Sequence, residues 1–341
     1  MTETRVGRHG WTRRRALRSL AAASAAASVP ALTACVQREP LLRLASNVWP
    51  GYELMHAAQA LGRFDESRLR IVEMPSSTDV LQAFASGAIE GGGLTLDELL
   101  SARADGLDIG AVLVFDESQG ADALLARPEI ATLAALAGRR IGVEQTAVGA
   151  LVLNAALQSA GLRLDQVQPV ILTVADHLAA WRAHEVDAVV TFEPVLGALA
   201  AEGARRLFDS RAMPGAIIDL LVVNQAAARR SPQALRHLLQ VHFEMLAQWK
   251  SEPQSLAPAI GARTGLPPAQ VAAAFGQIAL PDLAANHAWL GGTRPRLSDS
   301  ALRLLQVMQQ ARLLDKAPSL ADLGNPAFLP VLPARPDGAG T

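Results

Sequence analysis

The sequence predicts an α/β protein of two doubly wound lobes around a ligand cleft, with a helical C-terminal part packed on the first lobe. Three observations lead there. At 341 residues the chain is too long for one comfortable core and suits two domains. Short apolar runs alternate with amphipathic helical patterns as far as Val223, and a β-α-β-α order implies parallel strands. The stretch Leu81 to Glu98 (LQAFASGAIEGGGLTLDE) is echoed 97 residues later by Leu178 to Pro194 (LAAWRAHEVDAVVTFEP), with Leu81 meeting Leu178, Phe84 meeting Trp181, Ile89 meeting Val186 and Glu90 meeting Asp187. Ligands of open α/β sheets sit beyond the carboxyl ends of the strands, so Leu94 to Asp97 and Thr191 to Pro194 face each other across the cleft.

The first strand is the apolar run Leu41 to Ala45, followed by turn chemistry at Asn47, Pro50 and Gly51 and a helix from Glu53 to Leu61. Leu69 to Met74 alternates as a strand. Ser76 to Asp79 can cap the next helix, in which Val80, Leu81, Phe84 and Ala85 share a face. Gly91 to Gly93 is a poor strand interior unless a backbone or a ligand comes close, and the ligand is expected there. Thr95 to Glu98 fits a capping box, which starts a helix whose amides can hold a polar ligand head. Leu107 to Phe115 is a strand that runs into the polar patch Asp116 to Asp122, where Gly120 can serve as a hinge before a new βα series. That series has strands at Arg139 to Val143, Val167 to Leu172 and Asp187 to Thr191, a helix from Ala150 to Ala160, and Pro194 in the first turn of another. Ile217 to Val223 is a further crossing strand. From Ser231 onward helical patterns (Ser231 to Lys250, Pro253 to Thr264, Pro267 to Ile278, Leu297 to Leu314) follow with no strands between them.

The N-terminus has the order of an export leader. Six arginines and one acid precede Cys35, with an alanine-rich run from Leu20 to Ala34. Thr12 to Leu17 resembles a twin-arginine signal, with Ala16 where Phe is usual, and Leu32-Thr33-Ala34-Cys35 resembles a lipobox. Cys35, the sole cysteine, is then a lipidation site, and no internal disulfide or cysteine metal cluster can form. The chain after residue 34 carries 25 basic and 31 acidic residues, a net charge of −6, which supports neither a nucleic-acid surface nor a polybasic membrane patch. No apolar stretch of membrane-spanning length follows residue 40. GxSxG, HExxH and P-loop motifs are absent, and the seven histidines are scattered, so no catalytic residue, metal ligand or cofactor is assigned.

Four segments carry a family resemblance: Trp49 to Glu66, Ser77 to Glu98, Ser118 to Leu153 and Val189 to Leu199. In order and spacing they resemble the periplasmic substrate-binding proteins of nitrate, sulfonate and taurine ABC importers. The resemblance implies a type II periplasmic-binding fold that closes on one small molecule and delivers it to an ABC permease with its ATPase, acting as a monomer held to the membrane by its lipid anchor. A receptor feeding a membrane sensor is an alternative. A thiamine-pyrimidine-synthase-like enzyme is another, but it relies on a cysteine-rich motif that this chain lacks. Carried over by position, the resemblance places Trp49, Gly51, Tyr52, Ser77, Thr95, Asp97 and Thr146 near the ligand, with Phe192 and Glu193 on the opposite wall. The remaining mouth positions are acidic (Glu53, Asp116, Glu144 and Asp219) and no lysine or arginine stands among them, which points to a neutral, zwitterionic or amine-bearing ligand. The implied organisation is a signal peptide at 1–34, a lipidated tether at 35–41, a first lobe of 42–116 with 221–333, a second lobe of 117–220, and a mobile tail at 334–341.

Overall fold

The computed structural model describes Thr2 and residues 38–144 and 147–332. The leader, Cys35, Thr146 and the tail at 334–341 lie outside the described residues. The chain divides into two compact units, Met1–Arg38 and Glu39–Thr341, and every element named below belongs to the second.

Its elements are β1 (Leu42–Ser46), a 3-10 turn (Pro50–Tyr52), α1 (Glu53–Ala60), β2 (Leu69–Glu73), α2 (Ser77–Ala85), β3 (Gly91–Thr95), α3 (Leu96–Ala104) and β4 (Ile109–Ser118). Then come β5 (Asp122–Ala126), β6 (Arg140–Val143), α4 (Ala147–Ser159), β7 (Gln168–Ile171), α5 (Val174–Arg182), β8 (Ala188–Phe192), α6 (Val195–Ala201) and β9 (Arg205–Asp209). The chain ends in β10 (Ile218–Asn224), α7 (Gln225–Arg230), α8 (Pro232–Ser251), α9 (Pro253–Thr264), α10 (Pro268–Phe275), β11 (Ile278–Ala279), α11 (Leu283–Leu290) and α12 (Arg296–Gln310).

These strands form two sheets, ordered β2-β1-β3-β10-β4-β11 and β7-β6-β8-β5-β9. The two orders are the same arrangement repeated, with a two-residue edge strand added to the first. The echo seen in the sequence is exact at the level of elements: α2 and α5, like β3 and β8, are displaced by 97 residues. An ion pair repeats with them. Glu90 accepts from the Arg43 backbone amide (2.8 Å) and from its guanidinium, and Asp187 does the same for Arg140 (2.9 Å to the amide). Each pair fastens the start of a lobe's first strand to the turn that enters its third.

The expectation of parallel strands holds for β1 with β2 and β3, and for β6 with β7 and β8. It fails for β10 and β5, each antiparallel to both of its principal neighbours. The reason is connectivity: β5 enters its sheet straight from β4, and β10 returns straight from β9, so neither has a helical crossover to restore its direction. The C-terminal part likewise contains a strand that periodicity does not show, β11, which lies antiparallel to the end of β4. Two residues are too few for an alternation to register. The helical patterns also overran their elements, α10 stopping at Phe275 and α12 at Gln310.

Prolines at the first helical positions start α8, α9 and α10, where a missing N–H costs nothing, and left-handed Gly265 ends α9. The apolar face of α8 lies on α1, α9 packs on both, and α12 covers α3, so these helices clothe the first sheet's lobe. α11 is pinned to β4 by Asn286, whose side chain accepts from Val114 N (2.7 Å) and donates to Val114 O (3.2 Å).

The glycines of β3 serve the protein core and do not open a path to the ligand, which corrects the sequence expectation. A Cβ on Gly92 would sit 2.6 Å from the Ala45 carbonyl oxygen and 3.0 Å from Val80, and one on Gly93 would sit 2.7 Å from the Tyr52 ring. Because the first clash is with backbone, Gly92→Ala should destabilise the protein by roughly 1–3 kcal/mol. A urea-unfolding midpoint equal to that of the unaltered chain would show that β1 and β3 have room to part.

Candidate functional site

The two sheets present their strand mouths to one small cavity. Trp49, Tyr52, Thr95 and Asp219 reach it from the first lobe, and Asp122 and Phe192 from the second. Asn47, Ser77 and Val148 complete its wall. Strand register explains the placement of the acids. Asp219, at the start of antiparallel β10, stands opposite Thr95 at the end of β3 and opposite Asp116 of β4. Asp122, at the start of antiparallel β5, stands opposite Phe192 at the end of β8. Thr95 and Phe192 are themselves 97 residues apart, so both jaws use one device: an aspartate on the exchanged strand facing the mouth of the third strand.

Aromatic side chains close the space. The indole of Trp49 meets the edge of Phe192 across the cleft, ring centroids 5.8 Å apart. Its Nε1 donates to Asp116 Oδ2 (2.9 Å), and Gly51 leaves room for that carboxylate, since a Cβ there would lie 1.7 Å from Asp116 Oδ2. The Tyr52 ring rests on Gly93 and against Phe115, and its hydroxyl donates to Asp219 Oδ1 (2.5 Å).

The carboxyl groups are buried with oxygens left over. Among the described residues Asp116 Oδ1, Asp122 Oδ2 and Asp219 Oδ2 have no hydrogen-bond partner, and neither does either oxygen of Glu144. Salt bridges among the described residues reach none of these four side chains. Burial, reinforced by the charge of Asp116, holds the Asp219 carboxyl well above the usual carboxylate range, and burial also raises Asp116. Burial lifts Asp122 to about 7 and, with Asp79 nearby, Glu144 to about 7. Asp97 and Glu98 are pushed up by burial too; Glu98 accepts from the Thr95 amide (2.9 Å), its half of the expected capping box. Tyr52 is raised by burial and by Asp219.

Of the positions expected near a ligand, Trp49, Tyr52, Ser77, Thr95, Phe192 and Asp219 share the cavity wall. Gly51 and Asp116 stand against Trp49 behind it, and Asp97 is fully buried in the first turn of α3. Glu144 lies deeper in the second lobe, lining a space with Asp122, His177 and Phe192. Glu193 is engaged elsewhere: it accepts from Gly197 N (3.2 Å) and from the Gln277 side chain (2.5 Å), and Gln277 in turn accepts from Arg206 (2.8 Å). Glu53 is turned away toward Arg263, with which it forms a buried ion pair. Sequence reasoning missed Asp122, Asn47 and Val148 as wall residues. Asp122 had a signal, a lone acid heading the apolar strand Ala123 to Ala126; Asn47 looked like turn chemistry only.

Residues 50–255, more than half of the chain, match the family described as NMT1/THI5 like. The chain belongs to that family. Within the NMT1/THI5-like family setting, a putative aliphatic sulfonates-binding protein of Escherichia coli (strain K12) is 26% identical over 207 residues, covering 60% of this chain and 65% of that protein. The taurine-binding periplasmic protein of the same strain is 28% identical over 164 residues, 47% of this chain and 51% of that protein. The chain thus spans just under two thirds of the first relative and about half of the second. The alkanesulfonate-binding protein SsuA from Xanthomonas axonopodis pv. citri, bound to MOPS, shares the fold with a TM-score of 0.70 at 21% identity, covering 84% of this chain and 99% of that one. The desulfurization enzyme DSZB shares it at 0.60 and 17%, covering 85% and 97%. The two-lobed α/β architecture of periplasmic binding proteins is therefore this chain's fold.

The buried groups set a pH dependence. Carboxyls raised above their unfolded values near pH 4 bind more protons in the folded state, so their stability contribution is lost as pH rises through their folded values. Buried His56, His177 and His242 are lowered by burial to about 3, 4 and 3, and they add stability only as pH rises toward about 6.5. Above that the carboxyls act alone, with Asp122, Glu144 and Glu53 all at about 7. The thermal midpoint of ligand-free protein should fall between about pH 6.5 and 8.5; a flat or rising profile by calorimetry would contradict this arrangement.

Proposed function

We propose that this chain is the extracytoplasmic solute-binding component of an ABC importer: it captures a small molecule between its lobes and presents it to a permease and its ATPase. The observation that carries this reading is the shared cavity, to which two lobes contribute matching aspartates and aromatic rings. Only two connections join the sheets in sequence, 119–121 and 210–217, and they are stitched to each other. Gly120 N donates to Ser210 Oγ (2.7 Å), Ser118 Oγ and Ser210 Oγ are 2.8 Å apart, and Gly120 has a left-handed φ of 115°. A compact pair of crossings is a hinge, about which the lobe of the first sheet, 42–118 with 218–332, moves against that of the second, 122–209. Similarity to sulfonate- and taurine-binding proteins supports export and capture, and the leader supports a lipid anchor at Cys35.

Native mass spectrometry of gently purified protein should reveal a bound small molecule. Trp49→Ala should weaken its binding roughly 10- to 100-fold, the usual loss for an aromatic anchor at the centre of a site; unchanged affinity would place the ligand elsewhere. Uptake of that molecule should cease in cells lacking the partner permease, whereas continued uptake with loss of a transcriptional response would indicate a sensor's receptor. Cys35→Ser should move the protein from the membrane fraction to the soluble one, and retention on membranes would exclude the lipid anchor.

A further inference from the structure

We infer that the cleft selects a small organic cation, an ammonium- or amidinium-bearing molecule, seated between Trp49, Tyr52 and Phe192 with its charge on Asp219 and Asp122. This rests on the solute-binding reading and names the class of ligand.

The first observation is the set of unmatched oxygens. Asp219 spends Oδ1 on the Tyr52 hydroxyl and keeps Oδ2; Asp116 spends Oδ2 on Trp49 and keeps Oδ1. Asp122, on the other jaw, keeps Oδ2. Asp219 and Asp122 are 3% and 5% exposed, and both line the cavity. An ionised carboxylate at such depth is costly unless a counter-charge arrives. Among the described residues no arginine or lysine lines this cavity or the adjoining space beside His177. Arginines are plentiful in the chain, and those in ion pairs sit with other acids, as Arg43 does with Glu90 and Arg263 with Glu53.

The second observation is the aromatic wall. Trp49, Tyr52 and Phe192 bound the same space, from both lobes, and ring faces attract a cation where an anion would be repelled. Metal ions are a poor alternative, because among the described residues no three His, Cys, Asp or Glu side chains are grouped to hold one. A sulfonate or nitrate would have to lie against buried carboxyl groups. It could do so only if they stay protonated and donate to it, and that difference is measurable.

The titratable groups that line the site or act on its acids are Tyr52 after the first strand, Asp79 of α2, Asp97 and Glu98 of α3, Asp116 and Glu117 of β4, Asp122 of β5, Glu144 after β6, His177 of α5 and Asp219 of β10. Raised carboxyls hold protons in the empty cleft, and an arriving cation expels them. Cation binding therefore releases protons and tightens as pH rises from 6 to 8. Anion binding through protonated carboxyls takes up protons and weakens over the same range.

The test is titration calorimetry and thermal shift on the purified protein with butylamine, benzamidine and tetramethylammonium, against taurine, methanesulfonate and nitrate, with sodium and magnesium chloride as references. At least one organic cation should raise the thermal midpoint above the salt references and release protons in buffers of differing ionisation enthalpy. Asp219→Asn and, separately, Asp122→Asn should each lower its affinity at least ~30-fold, the loss expected for one partner of a buried charge pair. Both variants should unfold no earlier than the unaltered protein when empty, since each puts a neutral amide where the empty cleft holds a protonated carboxyl. Binding of taurine, methanesulfonate or nitrate with proton uptake, and of no organic cation, would overturn the cation assignment and leave the solute-binding reading intact. Failure of every probe would overturn it as well, and the solute-binding reading would fall separately if native mass spectrometry also found no small molecule.

Discussion

Each sheet of this protein is completed by a strand that arrives directly from the other lobe, and the rest of the architecture follows from that exchange. β10 fills the gap between β3 and β4, and β5 fills the gap between β8 and β9, both running against their neighbours. Reversal puts the start of the exchanged strand at the mouths of the others, where parallel strands end. An aspartate at that start therefore faces the cleft, on both sides, without any loop to carry it. Backbone pairing holds these acids in place, so the cost of burying them is borne by the sheets.

Around them the first lobe is built with little slack. Tyr52 occupies the space that Gly93 leaves, Gly51 makes way for Asp116, and Trp49 reaches over that carboxylate to touch Phe192. One glycine admits a ring, the other admits a charge. The result is a cavity whose aromatic and acidic walls are fixed to strands and to the turn after β1, and whose closure is secured at the rim by Glu193, Gln277 and Arg206.

Much of this was legible in the sequence where a local pattern had a local cause. The 97-residue echo, the capping box at Thr95 and Glu98 and the proline starts of the late helices all depend on neighbours in the chain. What escaped depended on partners far away. That β10 and β5 run antiparallel is a matter of connectivity, invisible to alternation. That Gly91 to Gly93 serve the core was hidden because an empty side chain does not say who fills the space. Asp122 was masked by its surroundings, one acid among several in a polar segment, until the register with Phe192 set it apart. Glu193 looked equal to Asp219, yet its oxygens already had takers.

The exchange of β10 also has a temporal side. As the chain emerges from the ribosome, residues 42–118 supply four of the first sheet's six strands: β3 and β4 exist, but the strand that joins them is encoded a hundred residues later. The second sheet has no such wait, since β5 precedes its partners. The second lobe can therefore consolidate first and serve as the scaffold from which β10 is delivered, making the earlier-synthesised half the later to mature. Long-range pairing of this kind slows folding, and it leaves the edges of β3 and β4 open to wrong partners for the interval, a vulnerability that the chain carries until Asn224 has been made.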